Sequence, residues 1–410
     1  MGKILNTEYG GIHATYWMAF AVILNFASVF LLDRGYTNSQ IGLILAAGSV
    51  VAVFLQPFIA DLADRSKKIT LIGITQIITI LIMVMMLFCF VMTGASIALS
   101  VIFVMMIAWN TALQPLFNSL TFKLEESGYK INFGVTRAMG SLAFSALCAV
   151  LGTWAERYGT IVVPLAGEIT LLLLLITLVL IKHHFNKACQ LKAEIQKTDQ
   201  EVNLSPDIPV QQEEINLIQF IKRNKIFLVV NLGVAGIFFS NAIFNSFMLQ
   251  IVENVGGTSE DMGRILSVMA FLEIPPLFLF ERVHRRVSNK RLLQLGAICF
   301  ALKILCAALA GSVTMVYVAQ LFQLTSFGIF LPAMVSFIDE IMDKGEAVKG
   351  QALYTIVTTV ATIFASLAGG IMLDVKGAST MLVVSTLITG LGALLLCISI
   401  ERVKTKIIRI

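Results

Sequence analysis

The stretch ITLIGITQIITILIMVMMLFCFVMTGASIALSVIFVMMIAWNTALQPLFNSL (69–120) holds two apolar runs, 69–92 and 96–120, parted only by a short break at Gly94. A helix rises about 1.5 Å per residue and bilayer hydrocarbon is about 30 Å thick, so roughly 20 apolar residues cross it once. Each run has that length, and the break leaves the chain no route but to turn straight back. The pair therefore reads as two neighbouring antiparallel membrane helices. The same grammar extends outward, with further spans at 11–32, 39–60, 132–153, 160–182, 226–251, 262–281, 289–311, 313–338, 349–373 and 379–400. The reading is an all-α membrane protein of 12 transmembrane helices.

Composition agrees: 57% of the 410 residues are hydrophobic and 13% are charged, against about 25% charged in an average soluble domain. No stretch outside the spans is long and apolar enough for a core of its own. The one long polar interruption contains EIQKTDQEVNLSPDIPVQQEE (194–214), which lacks apolar periodicity and reads as a linker. The expected organisation is a six-helix bundle over residues 1–182, a cytoplasmic linker over 183–225 and a second bundle over 226–410.

The formal charge of +5 records topology. If the termini and the central loop share one side, that side holds 24 Lys and Arg residues, and the opposite loops hold only Arg34, Arg157, Arg264 and Lys376. The positive-inside rule makes the basic side cytoplasmic, with both termini there, and removes the reason to expect nucleic acid. The first apolar run is too long for a signal peptide and is expected to be retained. Six cysteines show no C-x-x-C spacing and read as apolar fillers, so neither a metal site nor a cofactor is expected.

The halves punctuate alike. ADLADRSKK (60–68) follows the second span, and ERVHRRVSNKR (281–291) follows its counterpart in the other half. The first turn resembles the G-x-x-x-D-R-x-G-R-R signature of the major facilitator superfamily, with Ala60 at the first glycine, Asp64 and Arg65 in place, and the second glycine missing. Four further stretches, FLLDRGYTNSQIGLILAAGSV (30–50), FGVTRAMGSLAFS (133–145), AFLEIPPLFLF (270–280) and GQALYTIVTTVATIFASLAGGIMLD (350–374), and the extension FLQPFIADLADR (54–65), are similar to the branch containing the lactose and phenylpropionate permeases. The resemblance implies two pseudo-symmetric six-helix bundles with a substrate site between them near the midplane. It also implies a gating role for Asp64 and Arg65, through hydrogen bonds to a neighbouring helix end.

Charge inside a membrane is expensive and points to function. Four ionisable residues fall within spans: Arg137, Glu168, Glu273 and Lys303. Glu273 lies mid-span before Pro275 and Pro276, which remove two backbone donors. A carboxyl group there suits proton coupling; the bland alternative is a permanent ion pair with Lys303 or Arg137. Arg137 stands where the resemblance implies a substrate-holding arginine, with a snorkelling interfacial arginine as the alternative. Lys303 resembles another functional basic position and is read as the salt-bridge partner of Glu273. Glu168, nearer a span end, reads as a water-facing or packing carboxylate.

The same resemblance places Asn118 at a substrate acid of the lactose permease, and Gln320, Gln323 and Ser326 at its proton-relay positions, so the galactoside-specific acid and most of that relay are absent. Phe144 stands at an aromatic sugar platform. Asn241 and Asn245 share a helix face at i, i+4 and, with Asn118, Gln320 and Gln323, are read as substrate-binding; the alternative for each is interhelical glue. Together these readings predict a monomeric alternating-access carrier in the lipid bilayer, coupling protons to a small polar or amphipathic molecule such as a sugar, aromatic acid or nucleoside. No Walker loop or nucleophile–base arrangement suggests an enzyme. A proton-coupled multidrug exporter is the runner-up, against which the span-five stretch 136–152 lacks proline. A non-transporting sensor or scaffold is the reading from another class.

Overall fold

A computed structural model describes residues 1–65, 70–198, 220, 223–342 and 344–403. Among these, nine helices are long and apolar enough to cross a membrane, and two bent helix pairs raise the number to eleven. The longest run, Lys344–Glu401, is itself two spans, because Gly377 leaves the helix at φ +78°. Only glycine adopts that conformation without a Cβ penalty. The twelve expected spans are thus present, and no strand occurs among the described residues.

Several boundaries differ from expectation. The first span starts at Gly2 and runs through Gly2–Phe20, a π-helical turn Ala21–Asn25 and Ala27–Asp33. The sixth, Val162–Thr198, continues well beyond residue 182, so the start of the expected linker is helix. Most of the polar segment, 199–219, lies outside the described residues. The second to fifth spans are Asn38–Arg65, Leu71–Val91, Ile97–Glu125 and Phe133–Tyr158.

In the second half, the seventh, eighth and tenth spans are broken, and the break in the eighth falls at a pair of prolines. The seventh is Lys225–Ser246 followed by Met248–Glu253, and the eighth is Ser259–Leu272 followed by Ile274–His284. Pro275 and Pro276 open the second piece of the eighth. The ninth is Asn289–Ala308, and the tenth runs from Val313–Gln320 through a 3-10 turn, Leu321–Leu324, into Phe327–Ile341.

The breaks in the first and seventh spans meet. Helix ends leave carbonyls without intrahelical donors, and here the other half supplies them: Asn25 Nδ2 donates to Asn245 O at 3.3 Å and Ser28 Oγ donates to Ser246 O at 2.7 Å.

The halves also join at the end of the bundle opposite the chain termini, here called the distal end. Gly152 of the fifth span and Gly263 of the eighth approach so closely that a Cβ on Gly152 would lie 2.8 Å from the Cα of Gly263. Beside this contact, Glu156 accepts hydrogen bonds from Ser259 N at 3.2 Å and Ser259 Oγ at 2.6 Å, capping the eighth span from the other half. The mirror arrangement caps the second span. Asp374, in the last turn of the eleventh, accepts from Asn38 N and Nδ2 at 3.0 Å each and from Ser39 N at 2.7 Å. A carboxylate at a helix N-terminus meets both free N–H groups and the positive end of the helix dipole.

Candidate functional site

Below this distal closure lies a cavity of about 280 Å³ bounded by both halves. It is at the small end of ligand pockets, which run to about 300–1,000 Å³. The first half contributes Trp17, Phe20, Leu24 and Asn25 from the first span, Leu45 and Ser49 from the second, and Arg137, Ser141 and Phe144 from the fifth. The second half contributes Asn241 and Asn245, then Met269 and Glu273, then Gln323 and Phe327, with Thr362 and Ser366 from the eleventh span.

The charged residues are organised around Glu273, which occupies the joint between the two pieces of the eighth span. Its N–H turns back to Ala270 O at 3.3 Å, the i−3 pattern of a terminating helix. Gln323 Nε2 donates to Glu273 Oε1 at 2.7 Å, and Lys303 Nζ donates to Gln323 Oε1 at 2.6 Å. This corrects the expected direct Glu273–Lys303 salt bridge: a neutral carboxamide sits between the two. Lys303 is 1% exposed and also faces Met269 Sδ at 3.8 Å and the Phe244 ring at 4.9 Å. A buried ammonium requires such saturation.

Arg137 lies on the cavity wall. Its guanidinium rests 4.1 Å from the Trp17 ring centroid, and its hydrogen bond among the described residues is NH1 to Ser141 Oγ at 3.3 Å. Stacking on an indole face holds a guanidinium without consuming its N–H groups. Among the described residues, Glu273 is the one acidic residue that lines this cavity with Arg137, and Gln323 connects it to Lys303.

Of the residues singled out from sequence, Arg137, Phe144, Asn241, Asn245, Glu273 and Gln323 come together here. Lys303 stands behind Gln323. Asn118 does not join them: it is exposed on the fourth span and outside the cavity lining. Gln320 is fully buried away from the cavity, with Nε2 donating to Val316 O of its own helix at 3.3 Å. Glu168 is half-buried elsewhere. Arg65 is largely exposed and pairs with Asp61 one turn back at 2.6 Å, so its bond stays within its own helix; the Asp64 side chain lies outside the described residues. The residues that sequence reasoning missed are chiefly the apolar wall, Trp17, Phe20, Met269 and Phe327. Their one signal was aromatic spacing at i, i+3 in the first span.

The model of the MFS_1 like family matches residues 9–384. The maltose permease of Geobacillus stearothermophilus is 23% identical over 95% of this chain and 93% of that one. The probable 3-phenylpropionic acid transporter of Escherichia coli (strain K12) is 24% identical over 86% of this chain and 88% of its own. Among solved structures, the nucleoside transporter NupG superposes with a TM-score of 0.72 at 14% identity, covering 98% of this chain and 100% of that chain. A bacterial homologue of the lysosomal transporter Spinster gives 0.64 at 16% identity, covering 98% and 97%. With spans, bundle architecture and sequence match in agreement, the chain belongs to the MFS_1 like family and is a membrane transporter of the major facilitator type.

Proposed function

We propose that this transporter is a proton-coupled symporter working by alternating access, with Glu273 as the proton-carrying group. The observation that carries the reading is the placement of Glu273: at the broken joint of a span, on the cavity wall, hydrogen-bonded to Gln323 and opposite Arg137. A carboxyl group placed there meets solute and proton in one compartment, and its environment changes whenever the joint moves. The residues proposed to meet the solute are Arg137, Phe144, Asn241 and Asn245, with Gln323 and Lys303 setting the electrostatics of Glu273.

The proposal orients both termini toward the cytoplasm, on the strength of the basic asymmetry. The distal closure then faces outward. Single cysteines introduced at Thr198 and Thr258 test this in intact cells: an impermeant thiol reagent should label the second, and preferential labelling of the first overturns the orientation.

Coupling is tested in proteoliposomes offered maltose, 3-phenylpropionate and uridine, with and without an inward proton gradient. At least one solute should accumulate above equilibrium, and a protonophore should abolish the accumulation. Glu273→Gln should lose accumulation but keep solute exchange, because an amide reproduces the protonated acid and releases no proton. Gradient-driven accumulation retained by that variant would remove Glu273 from the role.

A further inference from the structure

Resting on that reading, we propose that the cavity selects a small organic anion, one carboxylate on a flat apolar body, and that Arg137 is the group that holds it. The argument begins with charge. Among the described residues, Glu273 is the one acidic residue lining the cavity with Arg137, and through Gln323 it also faces Lys303, so with all three ionised the site carries one uncompensated positive charge. Lys303 cannot be the free one, because it is buried and engaged by Gln323. Arg137 lines the cavity with one hydrogen bond among the described residues, to Ser141. The rest of its fork remains for a ligand, in the geometry that a carboxylate accepts with both oxygens.

The walls argue for the rest of the molecule. Phe20, Leu45, Phe144 and Phe327 offer apolar surface. The asparagines offer less polarity than their number suggests, because Asn25 Nδ2 is spent on Asn245 O and Asn245 Nδ2 on Asn241 O at 3.0 Å. A polyhydroxylated ligand would lose water from its hydroxyls wherever they met Phe20, Leu45, Phe144 or Phe327. A flat apolar body loses nothing there, and a cavity of about 280 Å³ suits a small one.

Charge conservation adds a consequence. The empty site, with Glu273 ionised, carries one net positive charge. Loaded with a monoanion and a proton on Glu273, it carries the same. The carrier therefore crosses the membrane with equal charge loaded and empty, and the symport is electroneutral. A neutral solute with one proton would move charge.

The full-length protein in nanodiscs is titrated with benzoate, 3-phenylpropionate and hexanoate, each against its own carboxamide, following tryptophan fluorescence with Trp17→Phe as the control for cavity occupancy. At least one acid should bind ten times more tightly than its amide, and maltose and uridine should not compete. Arg137→Gln should bring acid and amide to equal affinity, while Arg137→Lys should keep part of the difference; thermal melts of both variants report folding. Equal binding of acids and amides by the native chain, no acid binding, or competition by maltose or uridine overturns the proposal. In proteoliposomes, accumulation of the bound acid should follow the pH gradient and ignore a valinomycin-imposed potential. Proton-driven accumulation of a neutral solute would refute the anion assignment and leave the symport reading standing. Acid binding without accumulation would do the reverse.

Discussion

Gln323 presents one end of its carboxamide to an ammonium and the other to a carboxylate, so its orientation is fixed by two charges of opposite sign. Removing it leaves Lys303 buried without its oxygen partner, and breaking one side of a buried ionic arrangement costs about 3–5 kcal/mol. Gln323→Leu should accordingly lower the thermal midpoint substantially, and Lys303→Met in that background should restore most of it; differential scanning fluorimetry of the four proteins of the cycle measures the coupling. Equal melting of Gln323→Leu and the native chain would deny the bridge. What was legible here in the sequence were charges and amides, because they are costly in hydrocarbon wherever they point. That cost located Arg137, Glu273 and Gln323. It could not say that Gln323 stands between Glu273 and Lys303, since that depends on the 3-10 turn at Leu321–Leu324. Asn118 and Gln320 were placed by the resemblance, and they stand outside the cavity lining, the first exposed and the second buried within its own helix packing. Trp17 and Phe327 carried no mark that separates a cavity wall from a lipid-facing helix stripe.

At the scale of an element, the eighth span shows how two prolines position a charge. Pro275 and Pro276 have no N–H to return to the carbonyls of Phe271 and Leu272, so the ladder stops at Glu273, where one helical piece ends and the next begins. Joint and carboxylate are then one residue, and any change in the bend re-aims the carboxylate. Pro275→Ala with Pro276→Ala restores two donors and should stiffen the joint. Uptake rate in proteoliposomes should fall about tenfold, the equivalent of about 1.4 kcal/mol on the barrier, with solute affinity nearly unchanged. An unaltered rate would show that the bend takes no part in the cycle. The dipeptide made this break visible in the sequence. The break in the first span, by contrast, carries neither proline nor glycine between Ala21 and Phe26, and only the facing carbonyls of Asn245 and Ser246 explain it.

For the whole molecule, the twelve spans and the paired halves were readable because bilayer thickness sets the length of every run. The closure between halves was not, since it rests on Glu156 and Asp374, which look in sequence like any exposed loop acids. Each contributes about 1 kcal/mol as a helix cap, so Glu156→Ala or Asp374→Ala should each raise the population open at the distal end about fivefold. The two share no partner and should add. Distances between spin labels at Tyr158 and Val375, in a cysteine-free background, should lengthen progressively from native chain to single to double variant; an unchanged distribution would remove the caps from the closure. The caps run in opposite directions: the first half lends an acid to a helix of the second, and the second returns one to a helix of the first. Such cross-lacing makes departure mutual, because neither half can tilt away while its own acid or its neighbour's still holds. The distal door then has two settings and no ajar position, and a carrier so fastened exposes its cavity at that end only when both stitches have been undone.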